Sequence, residues 1–108
     1  MIKVSIHKNQ DGQMIGFRCS GHAGFAESGS DIVCAAVSAL VITTMNSIEQ
    51  FTSDTFDYQV EEENGLVDFK VVSPLSERSE LLLASLALGL QGIEEGYGQD
   101  YIKINNKE

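Results

Sequence analysis

Two cysteines and two histidines carry the nucleophilic and acid–base options of this sequence: Cys19, Cys34, His7 and His22. Their surroundings differ. His22 sits in a glycine-bracketed turn, Gly21-His22-Ala23-Gly24, and Cys34 lies in the apolar run Asp31-Ile32-Val33-Cys34-Ala35-Ala36-Val37-Ser38. Ser30 or Asp31 can cap a helix beginning there, which places Cys34 in its first turn. The unpaired amides and the positive dipole end of a first turn stabilise an anion, so a thiol at that point is expected to ionise more readily and attack faster. A cysteine nucleophile needs a proton acceptor that later protonates the leaving group. His22 is the candidate, joined to Cys34 by the eleven residues 23–33, whose Gly24, Ser28, Gly29 and Ser30 suit a loop able to close over substrate. His7 belongs to an earlier strand. Ser38, four residues after Cys34, shares its helix face and could donate a hydrogen bond to substrate or thiolate. Asp31 could orient His22, although asparagine, aspartate and serine are also the ordinary caps of helices. Amides near Cys34 could supply an oxyanion hole.

Plainer readings of the same residues stay open on spacing alone. A cysteine in an apolar helix is commonly a small core hydrophobe, and a histidine in a turn is commonly structural. A zinc site from Cys19, His22, Cys34 and a fourth ligand has no Cys-x-x-Cys pair to support it, and the first two residues would point to opposite faces of a continuing strand. A Cys19–Cys34 disulfide does not suit a reducing compartment.

These residues need a scaffold, and the periodicities describe one. Ile2, Val4 and Ile6 alternate with polar residues as a strand, Asn9 to Gly12 turns, and Met14 to Ser20 returns with Ile15, Phe17 and Cys19 on one face. Asp31 to about Phe51 is a helix apolar around most of its circumference, which predicts cover on more than one side. Phe56 to Val60 is a strand, and Asn64-Gly65 predicts a tight hairpin into Leu66–Val72. Ser73 as cap and Pro74 at the first helical position open a second helix that Gly96 or Gly98 ends. Tyr101 to Ile104 is a last short strand. The expectation is an α+β single domain, order β-β-α-β-β-α-β, with two apolar helices packed on a mostly antiparallel sheet.

Composition narrows the partners. With 108 residues and 43% hydrophobic content the chain can bury its own core. Seven basic against 16 acidic residues give a net charge of −9, and the basic residues are scattered singly, so no direct nucleic-acid binding is expected. The amino terminus reads as a strand without the pattern of a signal peptide, and the apolar runs, broken by Ser, Thr, Gly and Asn, are expected to be too short for a bilayer. The expectation is a cytoplasmic protein with no membrane association, no cofactor and no resident metal.

The block Gly21-His22-Ala23-Gly24, followed by Asp31-Ile32-Val33-Cys34-Ala35-Ala36-Val37-Ser38, resembles the ribosomal-processing cysteine proteases called Prp, and the likeness extends over essentially the whole chain, 1–108. The resemblance implies one Prp-like cysteine protease domain, with His22 and Cys34 at the positions of the family's catalytic pair. It implies an endopeptidase that removes a short N-terminal extension from a bacterial large-ribosomal-subunit protein, number twenty-seven in the standard order, after a pair of aromatic residues. It also implies a homodimer. Cys19 has no role in that pattern and reads as core. Two other classes are weighed beside it: a non-catalytic ribosome-assembly or interaction module using the 21–33 loop, and a thiol redox or zinc protein.

Overall fold

The computed structural model describes residues 1–22 and 28–105, with residues 28–31 described by their backbone. Its elements are β1 (Ile2–Lys8), β2 (Met14–Ser20), α1 (Ser28–Phe51), β3 (Phe56–Glu61), β4 (Leu66–Val71), α2 (Glu77–Tyr97) and β5 (Ile102–Asn105). They form one five-stranded sheet, β3-β4-β2-β1-β5, in which only the β1–β5 pair is parallel. The expected element order and the mostly antiparallel sheet are both present.

The strand alternation sorts the sheet into two faces. Ile2, Val4, Ile6, Phe17, Cys19, Phe69 and Val71 are buried on the helix-covered face, while Lys3, Arg18 and Lys70 are exposed on the other. Phe17 and Phe69 pair across β2 and β4 with ring centroids 5.6 Å apart, and Phe56 stands 4.8 Å from Phe69. Burying side chains of this kind contributes about 1.5–3 kcal/mol each, which makes this cluster the centre of the fold. α1 adds Val33, Val37, Val41 and Ile48, and α2 adds Leu83, Leu86 and Leu90, all nearly inaccessible. Both sets follow helical spacing.

Four details differ from the sequence expectations. First, α1 begins at Ser28, three residues before Asp31. Second, α2 is capped by Ser76, whose hydroxyl accepts the Ser79 amide, and begins at Glu77. Asp54 holds that cap by accepting both the Ser76 amide (3.0 Å) and hydroxyl (2.8 Å), while Ser73 instead accepts the Thr55 amide. Gly98 ends the helix, as expected, its amide donating to the Glu94 carbonyl. Third, the β3–β4 connection is a four-residue turn, with Glu61 opposite Leu66 and the Gly65 amide donating to the Glu62 carbonyl; only Gly65, not Asn64, takes a positive φ. Four-residue loops are most often built around such a turn. Fourth, Ile32–Phe51 is long and apolar enough to cross a membrane by length and composition, contrary to the expected absence of such a run. The packed stripe Val33, Val37, Val41 and Ile48 accounts for part of that apolarity, while only 28% of the span is buried within the chain. Beyond the stripe, Ile32 and Ile42 on α1 and Leu81 and Leu88 on α2 are exposed, so within one chain the helices are covered on a single side.

Candidate active site

Strand β2 ends at Ser20, and the chain leaves the sheet through Gly21, whose φ of +88° is a conformation glycine adopts without strain. Three interactions hold Gly21 and His22 in place. The Gly21 amide donates to the Asn64 carbonyl at 2.9 Å, the Gly65 backbone packs against the Gly21 carbonyl, and Nε2 of His22 lies 3.2 Å from the Glu63 carbonyl. The β3–β4 turn is therefore the seat of His22. A carbonyl oxygen only accepts, so Nε2 is the ring nitrogen that carries the proton at this contact. In the neutral ring, Nδ1 is then left as the basic nitrogen.

Cys34 and Ser38 project from α1 into a cleft of about 310 Å³ that His22 also lines. Val37 and Val41 line it from α1, Ile2 and Cys19 from the sheet, and Val60, Glu61, Glu62 and Val67 from the β3–β4 hairpin. The structure thus brings His22, Cys34 and Ser38 to one cavity. His7 is not part of it: its Nε2 lies 3.0 Å from Oδ1 of Asp68, whose Oδ2 accepts from Arg18 at 3.0 Å. Its strand neighbour Ile6 points into the core, so His7 occupies the opposite sheet face. The side chain of Asp31, and the 23–27 part of the expected closing loop, lie outside the described residues; the 28–33 part is not a loop but the start of α1.

Cys34 lies further from the helix start than its sequence position suggests. With α1 starting at Ser28, Cys34 falls in the second turn, where the dipole effect has weakened. The helical amides from Ile32 onward are also committed to carbonyls four residues earlier, so the Cys34 amide is not an oxyanion donor. The two thiols differ for another reason. Cys19 is 4% exposed, and burial, reinforced by the Asp68 carboxylate, pushes its thiol up to about 12. Cys34 is half-buried and opens to the cleft. No disulfide joins them, and among the described residues no three His, Cys, Asp or Glu side chains gather as metal ligands.

This contrast can be read by labelling. Iodoacetamide at neutral pH should modify Cys34 at least about tenfold faster than Cys19, read by peptide mass mapping; equal rates would contradict the burial of Cys19 and the rise of its thiol pKa. Cys19 should also leave a mark on alkaline stability. Its folded thiol keeps its proton to about 12 while an unfolded thiol releases it near 9.0. Between those values the folded state holds the extra proton, so stability falls as pH rises. Cys19→Ala should flatten that alkaline fall in melting temperature.

Sequence does not single out the hairpin residues that seat His22. Glu63 and His22 are 41 positions apart. The acidic run and the Asn-Gly pair mark a turn but carry no signal of what the turn touches.

A thiol and an imidazole sharing a cleft on a small α+β domain define a candidate cysteine hydrolase, and comparison with known proteins makes the class specific. The family model for cysteine protease Prp matches residues 1–103. The ribosomal processing cysteine protease Prp of Staphylococcus aureus is 34% identical over 107 residues, 99% of this chain and 100% of its own. The Bacillus subtilis protein of the same name is 30% identical over 108 residues, 96% of each. The crystal structure of the S. aureus essential ribosomal processing protease with a covalently linked product peptide aligns with a TM-score of 0.89 at 34% identity, over 99% of this chain and 100% of that one. A structure of the same protease with a substrate peptide aligns equally well, at 33% identity. The chain belongs to the Prp family of cysteine proteases.

Proposed function

We propose that this protease removes the N-terminal extension of a bacterial large-ribosomal-subunit protein, number twenty-seven, with Cys34 as nucleophile and His22 as general acid and base. The observation that carries the assignment is the seat of His22: a ring tied at Nε2 to a main-chain carbonyl, with Nδ1 left basic, in the cleft that Cys34 lines. In this reading Nδ1 accepts the thiol proton, the Cys34 sulfur attacks the scissile carbonyl, and the C–N bond breaks as the imidazolium returns the proton to the departing amine. The product is a thioester on Cys34. His22 then takes a proton from water, whose oxygen attacks the thioester and releases the carboxylate and the thiol. Ser38, one turn beyond Cys34, lines the same cleft, which supports a role for its hydroxyl in hydrogen-bonding the substrate.

The relatives named for ribosomal processing support the substrate class. So does charge: a net −9 attracts a basic ribosomal protein. The corresponding compartment is the cytoplasm, where the precursor is made. The test is incubation with the full-length precursor and mass measurement of the products. A single cut yielding the mature protein is the expected result. Capture of intact precursor with no product would replace this reading with that of a binding module.

We further infer a homodimer through the helical layer. Leu81 and Leu88, each 71% exposed and seven residues apart on one face of α2, are the most exposed leucines of the core helices. Light scattering should give twice the chain mass, and Leu81→Lys with Leu88→Lys should return it to the monomer value.

A further inference from the structure

We propose that β3 is the docking strand for the substrate, which adds to the sheet as an extended segment with apolar side chains on one face and basic ones on the other. This rests on reading the adjoining cleft as the protease site.

The backbone states which groups are available. Among the described residues β3 is an edge strand, paired only with β4. The Val72 amide donates to the Thr55 carbonyl at 2.8 Å, so residue 55 turns its polar backbone groups toward β4. In an antiparallel pair this alternates, so Asp57, Gln59 and Glu61 also face β4, while the N–H and C=O of Phe56, Tyr58 and Val60 face away from the sheet. Those groups are a template for another strand.

The side chains state what kind of strand fits. Tyr58 and Val60 lie opposite Phe69 and Val67, on the helix-covered face of the sheet, yet the helices do not reach them: they are 64% and 52% exposed. They form an apolar shelf, and Val60 also lines the cleft, so the shelf runs directly into the cavity holding Cys34 and His22. On the other face of the same strand stand Asp57, Gln59 and Glu61, the Glu61 carboxylate accepting from the side chains of Gln59 (2.7 Å) and Asn64 (3.0 Å), with Glu62 following at the cleft. Natural edge strands guard themselves with charge, proline or bulges. Here the charges occupy one face and leave the shelf bare. An added strand therefore meets apolar surface with alternate residues and a polar, net acidic face with the others, which is the peptide mode of β-augmentation. Pairing with β3 of a second copy would set Asp57 and Glu61 of each chain near their like, which costs rather than gains.

The test reads binding on Cys34→Ala, which cannot turn over, by fluorescence anisotropy. The probes are a labelled peptide spanning the precursor's extension junction and an alternating valine–lysine octapeptide. N-methylation at successive amides of the bound peptide should weaken binding at every second position only, by roughly five- to tenfold for each lost hydrogen bond. Tyr58→Pro and Val60→Pro should weaken it similarly, since each removes an outward donor that β4 does not use. The methylation series uses the unaltered β3 and stays decisive if a proline variant unfolds. Binding within twofold of the parent throughout the methylated series, or binding of neither peptide, overturns the proposal. Retained, register-dependent binding of a peptide that the wild-type protein fails to cut would leave β3 as a docking strand and remove the protease substrate reading instead.

Discussion

Cys34→Ala and His22→Ala each reduce cleavage of the precursor peptide by at least about a thousandfold, and the double variant is scarcely worse than either single one, because the two groups act as a unit. The thiol supplies the bond-forming atom and has no substitute in the cleft: Cys19, the other cleft thiol, is 4% exposed with its thiol pushed up to about 12. The imidazole supplies the proton path, and His7 cannot replace it from the opposite face, where Asp68 engages it. Neither substitution threatens the fold. Alanine is the better helix former at position 34, and His22 is exposed beyond the end of β2. Thermal melting should place both variants close to wild type while product mass spectra show intact peptide. Residual activity within tenfold of wild type in either variant would refute the assignment.

The strands are legible in the sequence because their burial follows period two. Met14–Ser20 is legible to the residue, since Phe17 and Cys19 alternate with exposed Arg18 and its turns carry Gly12 and Gly21. The helix starts are less legible, because several candidate caps compete within a few residues. Ser73 and Pro74 suit a start, but Asp54, 22 residues before Ser76, holds the cap at Ser76 instead. At α1 Ser30 and Asp31 suit a cap in the same way, but the helix begins at Ser28, and the earlier start moves Cys34 from the first turn to the second. The pairing of His22 with Cys34 is legible as types and spacing, and the family resemblance gives it a reaction. The Glu63 carbonyl is not legible at all. A main-chain acceptor leaves no trace in residue identity, and its partner lies 41 positions earlier. The bare shelf at Tyr58 and Val60 is hidden for a similar reason: alternation predicts which face a residue takes, not whether a helix reaches far enough to cover it.

That main-chain seat makes Gly65 a position where a small change should cost activity without touching the cysteine or histidine themselves. An added Cβ there would overlap the Gly21 carbonyl oxygen and come within 3.1 Å of Cε1 of His22, at a φ of +60°. Gly65→Ala therefore asks for two adjustments: a strained backbone, costing about 1–3 kcal/mol, and displacement of either the turn or the Gly21–His22 segment. The second bears on chemistry, because the turn carries the Glu63 carbonyl that holds the ring by Nε2. A shift of about 1 Å in a catalytic group can cost about a hundredfold in rate, so Gly65→Ala should lower kcat/KM by that order at a temperature where the variant is fully folded. Gly12→Ala separates strain from placement. Its φ of +80° imposes the same kind of penalty, but an added Cβ there meets nothing within 4 Å, and the turn joins β1 to β2 away from the cleft. Gly12→Ala should lose stability and keep wild-type kcat/KM. Equal activity in the two variants would mean that the turn does not position His22, and that Nε2 finds its partner elsewhere during catalysis.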